Sequence, residues 1–286
     1  AAWTAQEVPH VWPVATHIRV APKLAEAQRL ALAHNVVPVT HSFVSDLETP
    51  VSAFLKLGLP SRSFLLESAE GGERWGRYSF MGVSARATVA VFRDDVVVRQ
   101  GIAERRLPHH GEPLAVLRDL MRPYRLAARP GLPRFCGGLV GYFTYEMIHF
   151  FEPRVPNRLP PERPLAEFVI PDTLLIFDNI AHTLTVLALA FKEDAPEADL
   201  LHAAEARVRE LLARLGTPVP DPAPHARRRI ERPRPVHEPD YYKGMVARVK
   251  EHIHEGDVIQ CVVSQSFVGP APDDLVSLYR AQRYVN

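Results

Sequence analysis

Two groups of polar side chains interrupt otherwise apolar runs in this 286-residue chain, and chemistry could occur at either. In the first, Leu65-Leu66 stops at Glu67-Ser68, Gly71-Gly72 follows, and a second apolar run opens near Tyr78. A carboxylate there could pair with an ammonium group, and a hydroxyl could bond a carboxylate or carbonyl. The paired glycines permit positive φ, which lets backbone amides face a ligand. A small zwitterion suits such a strand end. The alternative is an ordinary hairpin in which Glu67 pairs with Arg74 or Arg77 and binds nothing. In the second group, Gly256–Phe267, a period of two puts Val258, Gln260, Val262, Ser264 and Ser266 on one face of a strand. A buried carboxamide between valines needs partners, so Gln260 either lines a cavity or bonds nearby backbone as a core glutamine.

Other candidates carry less. His109-His110 and the His252/His254 pair lack the carboxylates and spacing of a metal site, and no metal ligands are assigned. Gly137-Gly138-Leu139-Val140-Gly141 has no P-loop lysine and reads as close backbone packing. Arg227, Arg228, Arg229, Arg232 and Arg234 form a basic run without interleaved aromatics, in a segment rich in proline. That is a solvated or partner-facing stretch, and no nucleic-acid partner is expected.

The elements that must position these groups follow from periodicity. A helix opens after Pro22 with Leu24, Ala27, Leu30 and Ala31 on one side, and strand-like Val36–Val39 follows Asn35. Thr49-Pro50 reads as an N-cap and first-turn proline of a helix that Gly58 ends. Strands are expected at Phe64–Glu67, Tyr78–Met81, Ala85–Arg93 and Asp95–Gln100. A helix follows Pro113, and Thr173–Phe177 with Thr183–Phe191 makes an antiparallel hairpin. Asp194-Ala195-Pro196-Glu197 resembles a capping box for a helix carrying Leu201, Ala204, Val208, Leu211, Leu212 and Leu215. Further on, Asp240 should cap a helix ending at Gly256, Asp257–Val268 should form a strand, and Asp273 or Asp274 should cap a last helix that the chain end interrupts. Strands and helices are segregated, so the fold class is α+β with largely antiparallel sheets and packed helices. The expected organisation is a loosely held leader (1–20), an N-terminal domain (21–216), a Pro/Arg-rich linker (217–239) and the truncated start of a second domain (240–286).

Bulk properties set limits. A net charge of +1 gives no global attraction to nucleic acid or anionic lipid. Cys136 and Cys261 are too few for a disulfide framework, which points to a reducing cytoplasm. The first 20 residues carry no secretory pattern, and no window approaches the ~18 apolar residues of a membrane span.

Several stretches together resemble component I of anthranilate synthase, a chorismate-binding enzyme family. They are Asp46–Leu57, Leu65-Leu66-Glu67-Ser68, Gly76-Arg77-Tyr78-Ser79-Phe80, Gly137–Phe143, Pro171–Asp178 and Gly256–Phe267, in that order. The resemblance implies a large subunit with an N-terminal regulatory domain and the start of a chorismate-binding domain. It implies the reaction of chorismate with ammonia to give anthranilate and pyruvate, in tryptophan biosynthesis. Ammonia would come from glutamine through a partner amidotransferase subunit, and tryptophan would be the feedback inhibitor. Leu66, Glu67, Ser68 and Asn286 match positions of the tryptophan pocket. Gln260 matches a position where isochorismate-forming relatives carry a water-activating lysine, so a carboxamide there suits an aminating active site. Mg²⁺ is the implied cofactor, with its glutamate ligands outside this chain, so the chain alone is expected to be inactive. The alternatives are aminodeoxychorismate synthase component I, and a non-catalytic tryptophan-binding module.

Overall fold

The computed structural model describes residues 18–58, 62–68, 76–194, 197–220, 231–272 and 274–285, without the side chains of 197 and 198. It divides into two compact units, 1–220 and 221–286.

In the first unit the longest apolar runs become the central strands. β7 (Ala166–Asp178) and β8 (Thr183–Phe191) form the hairpin expected from Thr173–Phe191, and the strand before the turn begins earlier than its pattern indicates. β1 (Val36–Val44) pairs antiparallel with β8, and β3 (Tyr78–Val91) pairs with β7 on the other side. β2 (Phe64–Leu66), β4 (Asp95–Gln100), β5 (Ala103–Pro108) and β6 (Val140–Phe143) complete an eight-stranded sheet of order β1-β8-β7-β3-β4-β5, with β2 on β3 and β6 on β7. Every pairing between these strands is antiparallel. The α+β expectation therefore holds as a mixed fold built on one curled antiparallel sheet.

The curl has a specific cause. β3 and β7 are joined along almost their whole lengths, but their register shifts between Gly82 and Ala87. Leu175 pairs with Met81 below the shifts, whereas Phe168 pairs with Val89 above them, which leaves one extra residue on β3. Such bulges bend and twist a ribbon, so one pair of strands serves two half-sheets. Two separate strands were expected here, Tyr78–Met81 and Ala85–Arg93; the bulges join them into one. β5 was not foreseen at all, because Ala103-Glu104-Arg105-Arg106 is a charged, exposed edge without an apolar period.

Three apolar clusters fill the faces. On one side of the β1-β8-β7 half, Val39, Phe43, Leu175, Phe177, Leu184 and Val186 pack under α1 (Leu24–Ala33), α2 (Pro50–Leu57) and α4 (Glu197–Leu215). The alternate residues Leu174, Ile176, Leu187 and Leu189 face Cys136, Leu132 and Phe135 on the opposite side. The third cluster joins Val89, Val91, Val96 and Phe168 to α3 (Pro113–Met121) and to Met147 in the 3₁₀ helix Tyr145–Phe150. α2 begins as its sequence indicates. Thr49 Oγ1 accepts from Ser52 N (3.1 Å), Ser52 Oγ accepts from Thr49 N (2.8 Å), and Gly58 ends the helix at φ 51°.

Glycine is required at one crossing. A Cβ on Gly141 of β6 would land on the Glu167 carbonyl oxygen and lie 2.7 Å from Phe168 Cα. Within the Gly137–Gly141 run the expected close backbone packing occurs at Gly141, whereas a Cβ on Gly138 would meet nothing within 4 Å. Of residues 1–20, the first 17 lie outside the described residues, while Ile18 and Val20 pack on the first cluster and the Arg19 carbonyl accepts from His41 Nδ1 at 2.9 Å.

The second unit differs from its reading in two places. α5 (Pro239–Glu255) is preceded by Glu238 as N-cap, and Asp240 lies in the first turn, bonded to Lys243 Nζ at 3.0 Å. The strand expected at Asp257–Val268 shrinks to β10 (Phe267–Val268), paired with β9 (Arg234–Pro235). Alternation alone does not make a strand; a neighbour must share its hydrogen bonds, and among the described residues a ladder forms only at Phe267–Val268, extended by the Val236 amide donating to the Ser266 carbonyl at 2.8 Å. Asp274 caps α6 (Leu275–Val285), its Oδ1 accepting from Val276 N and Ser277 N, while Asp273 lies outside the described residues. The capping-box residues Ala195 and Pro196 also lie outside them.

Candidate functional site

The site begins where β2 runs out. Leu66 is opposite Phe80 and Phe64 is opposite Gly82, so these side chains share a face. Glycine at 82 leaves room for the Phe64 ring, with which any Cβ there would collide. Phe80 meets Phe135 edge-on at 5.0 Å and Tyr78 at 6.0 Å. Leu66, 47% exposed, therefore stands at the open rim of an aromatic surface.

The chain then turns polar. Glu67 and Ser68 are half-buried. The Ser68 hydroxyl donates to the Tyr78 carbonyl at 3.1 Å, and the Ser68 amide donates to Ser79 Oγ at 3.4 Å. Ser79 is 1% exposed and also accepts from Asn179 Nδ2 at 3.4 Å. Asn179 Nδ2 donates to the Gly76 carbonyl at 3.1 Å, and Asn179 N donates to the Arg77 carbonyl at 2.8 Å. The turn of the β7–β8 hairpin thus holds the start of β3, and through Ser79 the end of β2.

Arg77, one of the two arginines considered for Glu67, is engaged by Asp178. Its Nε and Nη2 meet the two carboxylate oxygens at 2.7 to 3.1 Å, and its guanidinium lies 5.0 Å from the Tyr78 ring centre. Burial raises the Asp178 pKa, but the bonds from Arg77 and from the Ala181 and Ile180 amides outweigh it and hold the group below the usual carboxylate range. Arg74, Gly71, Gly72 and Asn286 lie outside the described residues.

What the described half can do is clear from its chemistry. It offers an aromatic and apolar surface, a carboxylate for an ammonium group, and a serine oxygen whose lone pairs remain able to accept. Those are the features that recognise an amino acid with a flat apolar side chain. The sequence motif points to Leu66, Glu67 and Ser68. It left Phe80, Ser79 and Asn179 outside the site, although the hairpin register of Leu66 against Phe80 would have brought in the first of them.

Gln260 is not where its pattern put it. It lies on irregular chain and is exposed, as are Val258, Ile259 and Val262. The expectation of an amide facing an enclosed cavity is therefore corrected in this structure, for want of the strand that would have carried it. Nearby, His252, Glu255 and Asp257 bring ligand atoms within 4.8 Å of one another, all exposed, and His252 Nδ1 is paired to Asp257 Oδ2 at 2.8 Å. An exposed set with an imidazole already tied to a carboxylate does not fit Mg²⁺, which demands octahedral oxygen ligation. Cys136 is buried, which pushes its thiol up to about 11, and it serves packing rather than nucleophilic chemistry.

No helix among the described residues is long and apolar enough to cross a membrane. The family profile described as chorismate binding enzyme matches residues 62–286. Anthranilate synthase component 1 of Pseudomonas aeruginosa is 34% identical over 260 residues, covering 88% of this chain and 52% of that protein. The protein of that name from Mycobacterium tuberculosis is 34% identical over 271 residues, covering 90% and 51%. The crystal structure of anthranilate synthase component I from Streptococcus pneumoniae matches the fold with a TM-score of 0.59 at 22% identity, over 84% of this chain and 51% of that one. The chain spans about half the length of the curated relatives it matches.

Proposed function

Because this chain belongs to the chorismate-binding enzyme family, we propose that it forms part of the large subunit of an anthranilate synthase. The observation that carries this reading is the likeness, along most of the chain, to proteins named anthranilate synthase component 1. In the proposed reaction ammonia adds to C2 of chorismate, the 4-hydroxyl leaves, and pyruvate is eliminated to give anthranilate. The enzyme would work in the cytoplasm, aided by Mg²⁺, with ammonia supplied from glutamine by a separate amidotransferase subunit.

The first unit is then a regulatory domain, and tryptophan is its effector. Its indole would lie on the surface of Leu66 and Phe80, its ammonium at Glu67 and its carboxylate near Ser68. The half-buried carboxylate and hydroxyl beside an aromatic wall support this reading.

The test uses the full-length protein with chorismate, ammonium and Mg²⁺. Anthranilate fluorescence should appear, and tryptophan should suppress it. A product without that fluorescence, carrying its amino group at C4, would replace this reading with the aminodeoxychorismate one. Tryptophan binding in the absence of any turnover would instead favour a non-catalytic module.

A further inference from the structure

Far along β3 from Ser68, a separate cleft of about 580 Å³ opens between the β4–β5 hairpin, the end of α3 and the segment joining β8 to α4. Its volume lies in the range of small-ligand sites. At its base Arg86 has a side chain only 7% exposed. Both oxygens of Asp194 accept from Arg86, Oδ2 from Nη1 at 2.6 Å and Oδ1 from Nη2 at 2.8 Å, and Glu193 Oε1 accepts from Nη2 as well. The guanidinium also stacks on the Phe191 ring, 4.1 Å from its centre. Both oxygens of Asp194 are thereby engaged by Arg86, while Glu193 keeps its second oxygen, in a side chain 59% exposed.

On the other wall, Gln100 is opposite Ala103 and Arg105 is opposite Val98, so the two are diagonal neighbours on one face of the β4–β5 hairpin. Among the described residues neither side chain has a hydrogen bond or ion pair. By contrast, the adjacent Arg99 and Arg106 are both paired, to Glu104 and Asp95. Asp119, the remaining carboxylate of the lining, is met by Arg122 at 2.6 Å. The uncommitted groups are therefore a guanidinium and an amide on one wall and a carboxylate oxygen on the other, with Leu120, Pro123 and the Tyr124 ring between them.

We propose that this cleft binds a short peptide-like zwitterion, with its carboxylate on Arg105 and Gln100 and its ammonium on Glu193. Arg86 acts through Glu193 and Asp194, fixing the acidic wall from beneath. The apolar residues between the walls take an uncharged side chain. The site is independent of the Ser68 site and of the reaction proposed above.

Calorimetry on the full-length protein with glycyl-L-tyrosine tests it. Saturable binding is expected, weakened at least about tenfold by Arg105→Ala and by Glu193→Gln, and similarly when the peptide is N-acetylated or carried as its C-terminal amide. Both positions are exposed, and Gln100→Ala provides a third variant if either fails to fold. Ser68→Ala should leave the affinity unchanged. Absence of saturable heat, equal affinity in the Arg105 and Glu193 variants, or binding lost on Ser68→Ala would overturn the proposal.

Discussion

Ser68 has two tasks that can be separated by measurement. Its hydroxyl holds the Tyr78 carbonyl, and in the proposed effector complex it also meets tryptophan. Ser68→Ala in the full-length protein should weaken tryptophan inhibition about tenfold while costing only about 1 kcal/mol of stability, since one part-buried hydrogen bond is lost. Inhibition constants and urea midpoints measured together distinguish the two effects. Asp178 gives a pH signature nearby. Its folded pKa is depressed, so its contribution is complete above the ordinary carboxylate range and is lost as pH falls through the depressed value. Asp178→Asn should flatten the acid side of the stability profile as pH falls below the ordinary carboxylate range, followed by denaturant midpoints. At this scale the sequence reveals a polar residue that stops an apolar run, as at Glu67-Ser68. It hides Asn179, which reaches Ser79 from 100 positions away. It misleads at Gln260, where alternating valines suggest a strand but supply no neighbour for it.

Helix and strand ends were legible wherever the signal is local. Thr49, Pro50, Ser52 and Gly58 determine α2 among themselves, and Gly256 ends α5 at φ 85° for the same reason. What was not legible depends on partners distant in the chain: the bulged continuity of β3, and the charged edge β5, which forms only because β4 is there to pair with it. Docking of α2 is another such case. Glu48 (2% exposed) accepts from Lys56 Nζ at 2.5 Å, and the same ammonium donates to the Leu215 carbonyl at 3.0 Å, tying α2 to the end of α4. Lys56→Ala should destabilise the first unit by about 3 kcal/mol, because it leaves a buried carboxylate without its counter-charge. A thermal melt that barely moves would contradict that account. Gly141→Ala is expected to cost about 3 kcal/mol or to prevent folding, because the clash is with backbone that cannot step aside.

The two units differ in how much they bury. The first has three apolar clusters, whereas no described residue of 231–285 is buried. Ile259, Val262, Tyr284 and Val285 are each at least 82% exposed. Amide exchange in α5 and α6 should consequently be faster by orders of magnitude than in β7 and β8, as hydrogen-exchange mass spectrometry would show. Comparable protection in both units would refute this difference. The bulge of β3 carries a further implication, for how this sequence can change over time. Side chains alternate along a strand, so the interval from Gly82 to Ala87 is counted to the residue. Deleting a single codon there would turn Ala87, Val89 and Val91 outward or slide Tyr78 and Phe80 off their ring neighbours. Length variation among natural homologues should therefore accumulate in the hairpin tips and avoid this short interval.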